Sequence, residues 1–210
     1  MPRDSTATRE QLLLAGEHLF ARKGVDGALT REIIARAGQS NDSAVGYHFG
    51  SRRGLLGAIL DRHMARIEQR QPPGPPPDDL PTLVDDLTRP VSEELRTADG
   101  RDFLRIIVQL AGSAGMRTHD LPNPLRGSAV AGQLQALERE CVKTLPEPVA
   151  LERLSLLISM LTVCLADRAR RIDEAQLVLL DHDDFVANLV AMLTAALTAP
   201  VRRTLNHPDT

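Results

Sequence analysis

Residue types able to grip a charged or hydrogen-bonding partner gather between positions 30 and 52. They are Thr30, Arg31, Ser40, Asn41, Asp42, Ser43, Gly46, Tyr47, His48 and Arg52. Hydroxyl, amide, imidazole and guanidinium groups at this density suit hydrogen bonding to phosphate oxygens and base edges rather than bond making. Elsewhere the chain shows no Ser-His-Asp signature, no glycine-rich phosphate loop and no Cys-x-x-Cys pair, so no catalytic residue is assigned and enzymatic activity is not expected. His182-Asp183-Asp184 reads as a helix start whose acids face the positive end of the dipole. Neither it nor His119 has the His spacing that places two ligands on one helix face. Neither a metal nor a cofactor is therefore expected.

The elements that must position these groups are helical. A first helix is expected from about Thr8 to Lys23, capped by Thr8 with Gln11, its apolar face built from Leu12, Ala15, Leu19 and Phe20. Gly24 stops it. Thr30 is expected to cap a second helix that ends at Gly38. Asn41, Asp42 and Ser43 offer caps for a third, which runs to about His48, and Ser51 caps a fourth. Two short helices around a glycine-bearing turn form a helix-turn-helix, which sets its second helix in the DNA major groove. Residues 72–79, PPGPPPDD, cannot lie inside a helix and mark a connector. Beyond it helices are expected over about 80–97 (kinked or divided at Pro90), 102–116, 125–145, 149–172 and 182–199.

Composition sets the bounds. The chain has 210 residues, 42% hydrophobic but only 2% aromatic. Such cores rest on Leu, Ala, Val and Ile, which favours helices. Net charge is −3, which alone does not suggest a nucleic-acid partner. Its distribution says more. Residues 1–71 hold 11 Lys and Arg against 8 Asp and Glu, and residues 72–210 hold 14 against 20. The basic half carries the helix-turn-helix, the polarity that phosphate contact requires. The excess of Arg over Lys runs through the whole chain and reads as the coding bias of a G+C-rich genome. Cys141 and Cys164 read as small core residues of a reducing compartment. The polar start MPRDSTATRE has no signal-peptide character, and no apolar run of about 18 residues is evident. A cytoplasmic protein without a membrane partner is expected.

The N-terminal region resembles the DNA-binding domain of the tetracycline-repressor (TetR) family of bacterial regulators. The resemblance covers about residues 8–60. It is carried by Thr8-Arg9-Glu10, Leu19-Phe20-Ala21, Lys23-Gly24, Thr30, Ile33, Ala37-Gly38, Tyr47-His48-Phe49, Ser51-Arg52 and Leu55-Leu56, with YHFGSRRGLL as its specific block. It implies an all-α homodimer: a three-helix DNA-binding head over residues 1–50, a connecting helix over 51–71, and a helical-bundle domain for ligand binding and dimerisation over 80–210. It also implies backbone contacts from Thr30, Tyr47, His48 and Arg52. The base-reading surface would be Ser40 to Ser43 with Gly46. Two departures stand out. The stretch from Ala37-Gly38 to Tyr47-His48-Phe49 is one residue longer than is usual, and no Lys or Arg lies between Arg36 and Arg52. Arginine–guanine readout from the helix start is thereby removed. Asn41 becomes the candidate adenine reader, while Arg31 and Arg36 reach for the backbone.

Two apolar stripes near the C-terminus suggest a symmetric four-helix interface: Leu154, Ile158, Leu161 and Leu165, then Phe185, Leu189, Met192, Leu193 and Ala196. Phe103, Ile107, Met116, Met160 and Cys164 are candidates to line an effector pocket. The scarcity of Trp and Tyr disfavours an aromatic cage, so a neutral or lipophilic small molecule is expected. The chain therefore reads as a ligand-responsive transcriptional regulator, a repressor released from a near-palindromic double-stranded operator. The alternative is a helical small-molecule carrier or enzyme whose N-terminal module has lost DNA binding.

Overall fold

The computed structural model describes residues 5–114 and 127–201, and the described elements are all helical. They are α1 Ser5–Lys23, α2 Thr30–Arg36, α3 Ala44–Phe49, α4 Arg52–Gln69, α5 Leu80–Ser92, a 3-10 turn Glu93–Arg96, α6 Ala98–Ala114, α7 Ala129–Cys141, α8 Glu147–Asp173 and α9 His182–Thr198. Met116 and His119 fall outside the described residues.

Several helix starts differ from expectation, each for a local reason. Thr8 lies inside α1, and Gln11 accepts a hydrogen bond from the Gln39 side chain (2.9 Å) instead of completing a cap. Thr30 is the first helical residue, because Leu29 holds the extended backbone of the cap position. Glu32 supplies the missing acceptor by reaching back to the Leu29 amide (3.3 Å). The Pro146-Glu147-Pro148 stretch does not merely break the chain. It starts α8, where proline loses no intrahelical bond. Asp181 rather than His182 caps α9, accepting from the Asp184 amide at 2.8 Å. Pro90 sits inside α5, which continues two residues and then tightens into the 3-10 turn. That tightening buries Glu94.

Two apolar cores result. Leu12, Phe20, Ile33, Val45, Leu55 and Ile59 form the smaller one, beneath the helix-turn-helix. The larger gathers α5 to α9 around Leu83, Leu87, Phe103, Leu104, Leu137 and Leu154. The cores share elements. Ile106 of α6 lies in the small core, and Ile67 of α4 lies in the large one. Helix α6 packs along α8 on one side and along α1 on the other.

The sequence stripes near the C-terminus point inward. Leu154, Ile158, Leu161, Leu165, Leu189 and Leu193 are buried in the large core of their own subunit. Their spacing marks the inner face of each helix, because a subunit's own core demands the longest unbroken apolar face. Phe185 is half-buried, while Met192 and Ala196 are exposed. Helix α8 is long and apolar enough, by length and composition alone, to cross a membrane. That revises the reading that no such run exists, although its inner face is packed in the core.

Removing the α6 side chain from the small core tests the shared construction. Ile106→Ala leaves a void next to α1 and is expected to cost about 2–5 kcal/mol. Denaturant unfolding followed by hydrogen exchange should show α1 and the start of α4 losing protection. Loss confined to α6 and α8 would contradict it.

Candidate nucleic-acid interface

The turn between α2 and α3 is built from backbone. Gly38, at φ +66°, donates to the Ala35 carbonyl (3.0 Å), and the Gln39 amide donates to Ile34 (3.0 Å). This doubly bonded cap closes α2. The Gln39 side chain, besides its bond to Gln11, donates to the Ala37 carbonyl at 3.3 Å, so the turn is fastened to α1. Asn41 then starts α3. Its Oδ1 accepts from the Ser43 amide at 2.9 Å, and its own carbonyl accepts from Ala44 at 3.0 Å. These two bonds form an Asx turn that leads the chain from Gln39 into α3.

The turn and α3 present a continuous polar surface. Ser40, Asn41, Asp42, Ser43, Gly46 and Tyr47 are all exposed, Tyr47 at 80%. Ala44 and Val45 point into the small core. His48 is half-buried with its ring edge-on to Tyr47, 4.9 Å between centroids. Phe49 is only half-buried, packing against the core beneath the Arg9 guanidinium at 4.9 Å.

Arg52 serves the head itself. Its Nε donates to the Ala28 carbonyl (2.9 Å), and its guanidinium lies 5.3 Å from the Phe20 ring. The group that the sequence assigned to the DNA backbone therefore pins the α1–α2 loop. The neighbouring Arg53, missed by the sequence reading, is exposed. Arg31, Arg36 and Arg53 are all exposed and form no ion pair among the described residues. Lys23, by contrast, is held by Glu32 at 2.8 Å. That bond, with the Leu29 amide, keeps the Glu32 carboxyl below its usual range. Thr30 is half-buried at the start of α2. The signal that could have separated Arg52 from Arg53 is their adjacency: consecutive helical residues cannot share a face.

Two glycines bear on close approach. A Cβ at Gly54 would sit 2.0 Å from the Phe49 carbonyl oxygen, so the junction of α3 and α4 admits no side chain there. A Cβ at Gly46 would meet nothing within 4 Å.

Four of the pocket candidates lie in or against the large core. Phe103 is buried, stacked 4.4 Å from the His63 ring. Ile107 and Met160 pack against the large core as half-buried residues. Cys164 also opens onto a shallow depression of about 300 Å³ with Arg168, Leu179 and Phe185. Burial pushes its thiol pKa up.

Short helices around the Gly38 turn, with α3 exposed over a small apolar core, have the arrangement of a helix-turn-helix domain. Residues 12–59 match the family model described as bacterial regulatory proteins, tetR family, so this stretch is similar to the N-terminal domain of those regulators. The fold is similar to three solved structures. The first is a substituted form of TetR from Acinetobacter baumannii AYE in complex with minocycline. It shows 17% identity over 89% of this chain and 92% of that one, at a TM-score of 0.52. The second is NalD, the secondary repressor of the MexAB-OprM multidrug efflux pump in Pseudomonas aeruginosa, with 23% identity over 92% and 97% at 0.53. The third is a putative TetR-family transcriptional regulator from Rhodococcus sp., with 20% identity over 92% and 100% at 0.50. No curated protein sequence matches the chain.

The open space at Gly46 gives a test. Gly46→Ala should stabilise α3 by about 1 kcal/mol, raising the melting temperature by about 2–4 °C. A lower melting temperature would mean that the side chain is not free.

Proposed function

We propose that the protein is a ligand-responsive repressor that binds a near-palindromic operator as a homodimer in the cytoplasm. The observation that carries this is the row of exposed residues Ser40 to Ser43, Gly46 and Tyr47, flanked by the exposed Arg31, Arg36 and Arg53, which form no ion pair among the described residues. Each head would lay α3 in a major groove, the two heads about 34–36 Å apart. Tyr47, His48 and Thr30 would hold phosphates. Asn41, with Oδ1 engaged by the Ser43 amide, retains its NH₂ as a donor. Asp42, exposed at the start of the helix, is the acceptor suited to a cytosine amino group. Gly46 would let the helix approach closely.

The dimer would form on the outward faces of α8 and α9. Leu156 and Val163 are 60% and 54% exposed on α8, and Met192 is 48% exposed on α9 beside exposed Ala191, Ala195 and Ala196. A neutral or lipophilic molecule in the α5–α9 domain would favour a conformer with a different head spacing, to the extent of its differential affinity for the two states.

A gel-shift titration on the upstream DNA of the protein's own gene tests the operator. Affinity should fall steeply with salt, as phosphate contacts require. Tyr47→Phe should weaken all sequences alike, whereas Asp42→Asn should change base preference at one position. No specific retardation at any genomic site would overturn the reading. Leu156→Glu with Val163→Glu should yield a folded monomer by sedimentation. A dimer that survives both charges would place the interface elsewhere.

A further inference from the structure

The buried face of α4 runs at four-residue spacing through Leu55, Ile59, His63 and Ile67. The first two lie in the small core and the last in the large one. His63 occupies the crossing and is fully buried. Its Nε2 meets the Glu17 carboxylate of α1, and its Nδ1 meets the Glu94 carboxylate of the 3-10 turn. The ring stacks on Phe103 of α6 at an interplanar angle of 11°. Neutral imidazole has one N–H and one lone pair, so only the protonated ring donates to both carboxylates.

The surrounding charges come from every element packed against this ring. Arg62 of α4 bridges Glu10 (2.7 Å) and Glu17 (2.9 Å) of α1 to Asp99 of α6 (3.2 Å). Arg66 holds Asp99 at 2.7 Å and lies 3.8 Å from Glu94. Arg70 holds Glu94 at 2.5 Å. The donor atoms of Glu17, His63 and Asp99 lie within 4.8 Å of one another. Arg62 already bridges the two carboxylates, so the cluster is an ion-pair network rather than a cation site. Burial alone opposes the His63 charge, but the Glu17 and Glu94 hydrogen bonds outweigh it and hold the ring's pKa above its ordinary value. Burial is likewise outweighed at Glu94, kept low by His63 and Arg70, and at Asp99, brought to about 2 chiefly by Arg66. At Glu17 burial wins and the pKa is raised.

We propose that protonated His63 is a positioning residue that fixes the DNA head on the α5–α9 domain, and that loss of its proton uncouples the two. The coupling to operator affinity rests on the DNA-binding reading above. Loss of the proton leaves one of the two carboxylates facing a lone pair. Either α1 or the 3-10 turn then lets go, and the head loses its set orientation. A dimer that must seat both heads at once then binds more weakly. Because the folded pKa is raised, the stabilising link is complete below the ordinary histidine value near 6.5 and is lost as pH rises through the folded value. The effect therefore appears on the alkaline side.

The test has one arm without DNA and one with it. Nitrogen-15 NMR of the full-length protein labelled at histidine should show both His63 ring nitrogens protonated at about pH 7, titrating above the ordinary histidine value. Protection factors of the α1 amides, from which the intrinsic pH dependence of exchange is divided out, should fall through the same transition, and should not do so in His63→Gln. Operator affinity should fall across it. His63→Gln should bind more weakly at neutral pH and lack this alkaline limb. Glu17→Gln, which keeps a hydrogen-bond partner but removes one carboxylate charge, should move the limb to lower pH. A neutral His63 ring at about pH 7, or the same alkaline limb in His63→Gln, would overturn the proposal. If no DNA binds at all, the operator reading fails while NMR and hydrogen exchange still decide the role of His63.

Discussion

One face of α4 has to satisfy two cores, and a buried charge must be paired wherever it lies. These constraints meet at His63. An apolar residue there would join the cores by simple packing, at the expense of leaving Glu17 and Glu94 without the donor they share. With a histidine in place, α1, α4, the 3-10 turn and α6 are each obliged to present a particular group at a particular point. Partly satisfied networks of this kind are costly, and fully satisfied ones specify a unique arrangement. The orientation of the head thus depends on charge complementarity as well as on apolar contact.

A second set of polar links begins at the next residue of α1. His18 meets Asp102 at 3.0 Å, and Arg22 lies 3.5 Å from Asp173. Asp173 is also held by Arg101 at 2.5 Å and Arg105 at 3.0 Å. Gln109 accepts from the Val25 amide at 2.9 Å. Arginines near the seam are thereby committed to carboxylates, while Arg31, Arg36 and Arg53 on the outer head remain exposed. The net charge of the chain conceals this sorting. What matters for a polyanionic partner is which cations stay unneutralised and on which face they lie.

Much of the architecture was legible in the chain. Ser51 caps α4 with its Oγ 3.0 Å from the Gly54 amide, as its position before an apolar run implies. Gly24 and Gly38 end their helices with positive φ. The proline connector falls between α4 and α5. Less legible was which face of an apolar helix turns inward: the longest stripes on α8 and α9 fill the subunit's own core, and shorter rows such as Leu156 and Val163 are exposed. Periodicity reports a face without saying what covers it. Illegible altogether were Glu17, His63 and Glu94. They are far apart in sequence, and each looks like an ordinary polar residue of a surface helix until the fold brings them together. The same holds for Arg52, whose partner carbonyl at Ala28 is fixed by loop geometry and not by residue type.

Ile106 gives the fold a consequence for how such proteins recombine. The head does not close on its own residues, because a side chain from the middle of α6 completes its core. A gene fusion cut at the proline connector would carry the recognition helix away with an apolar hole in its floor. Point changes at the exposed Ser40, Asp42, Ser43 and Tyr47 leave the core beneath untouched, whereas Asn41 shapes the turn and Ala44 and Val45 belong to the core. Wholesale head transfer demands that the recipient's α6 offer a matching knob, which ties the evolution of the outer domain to that of an interior helix it otherwise has no reason to follow.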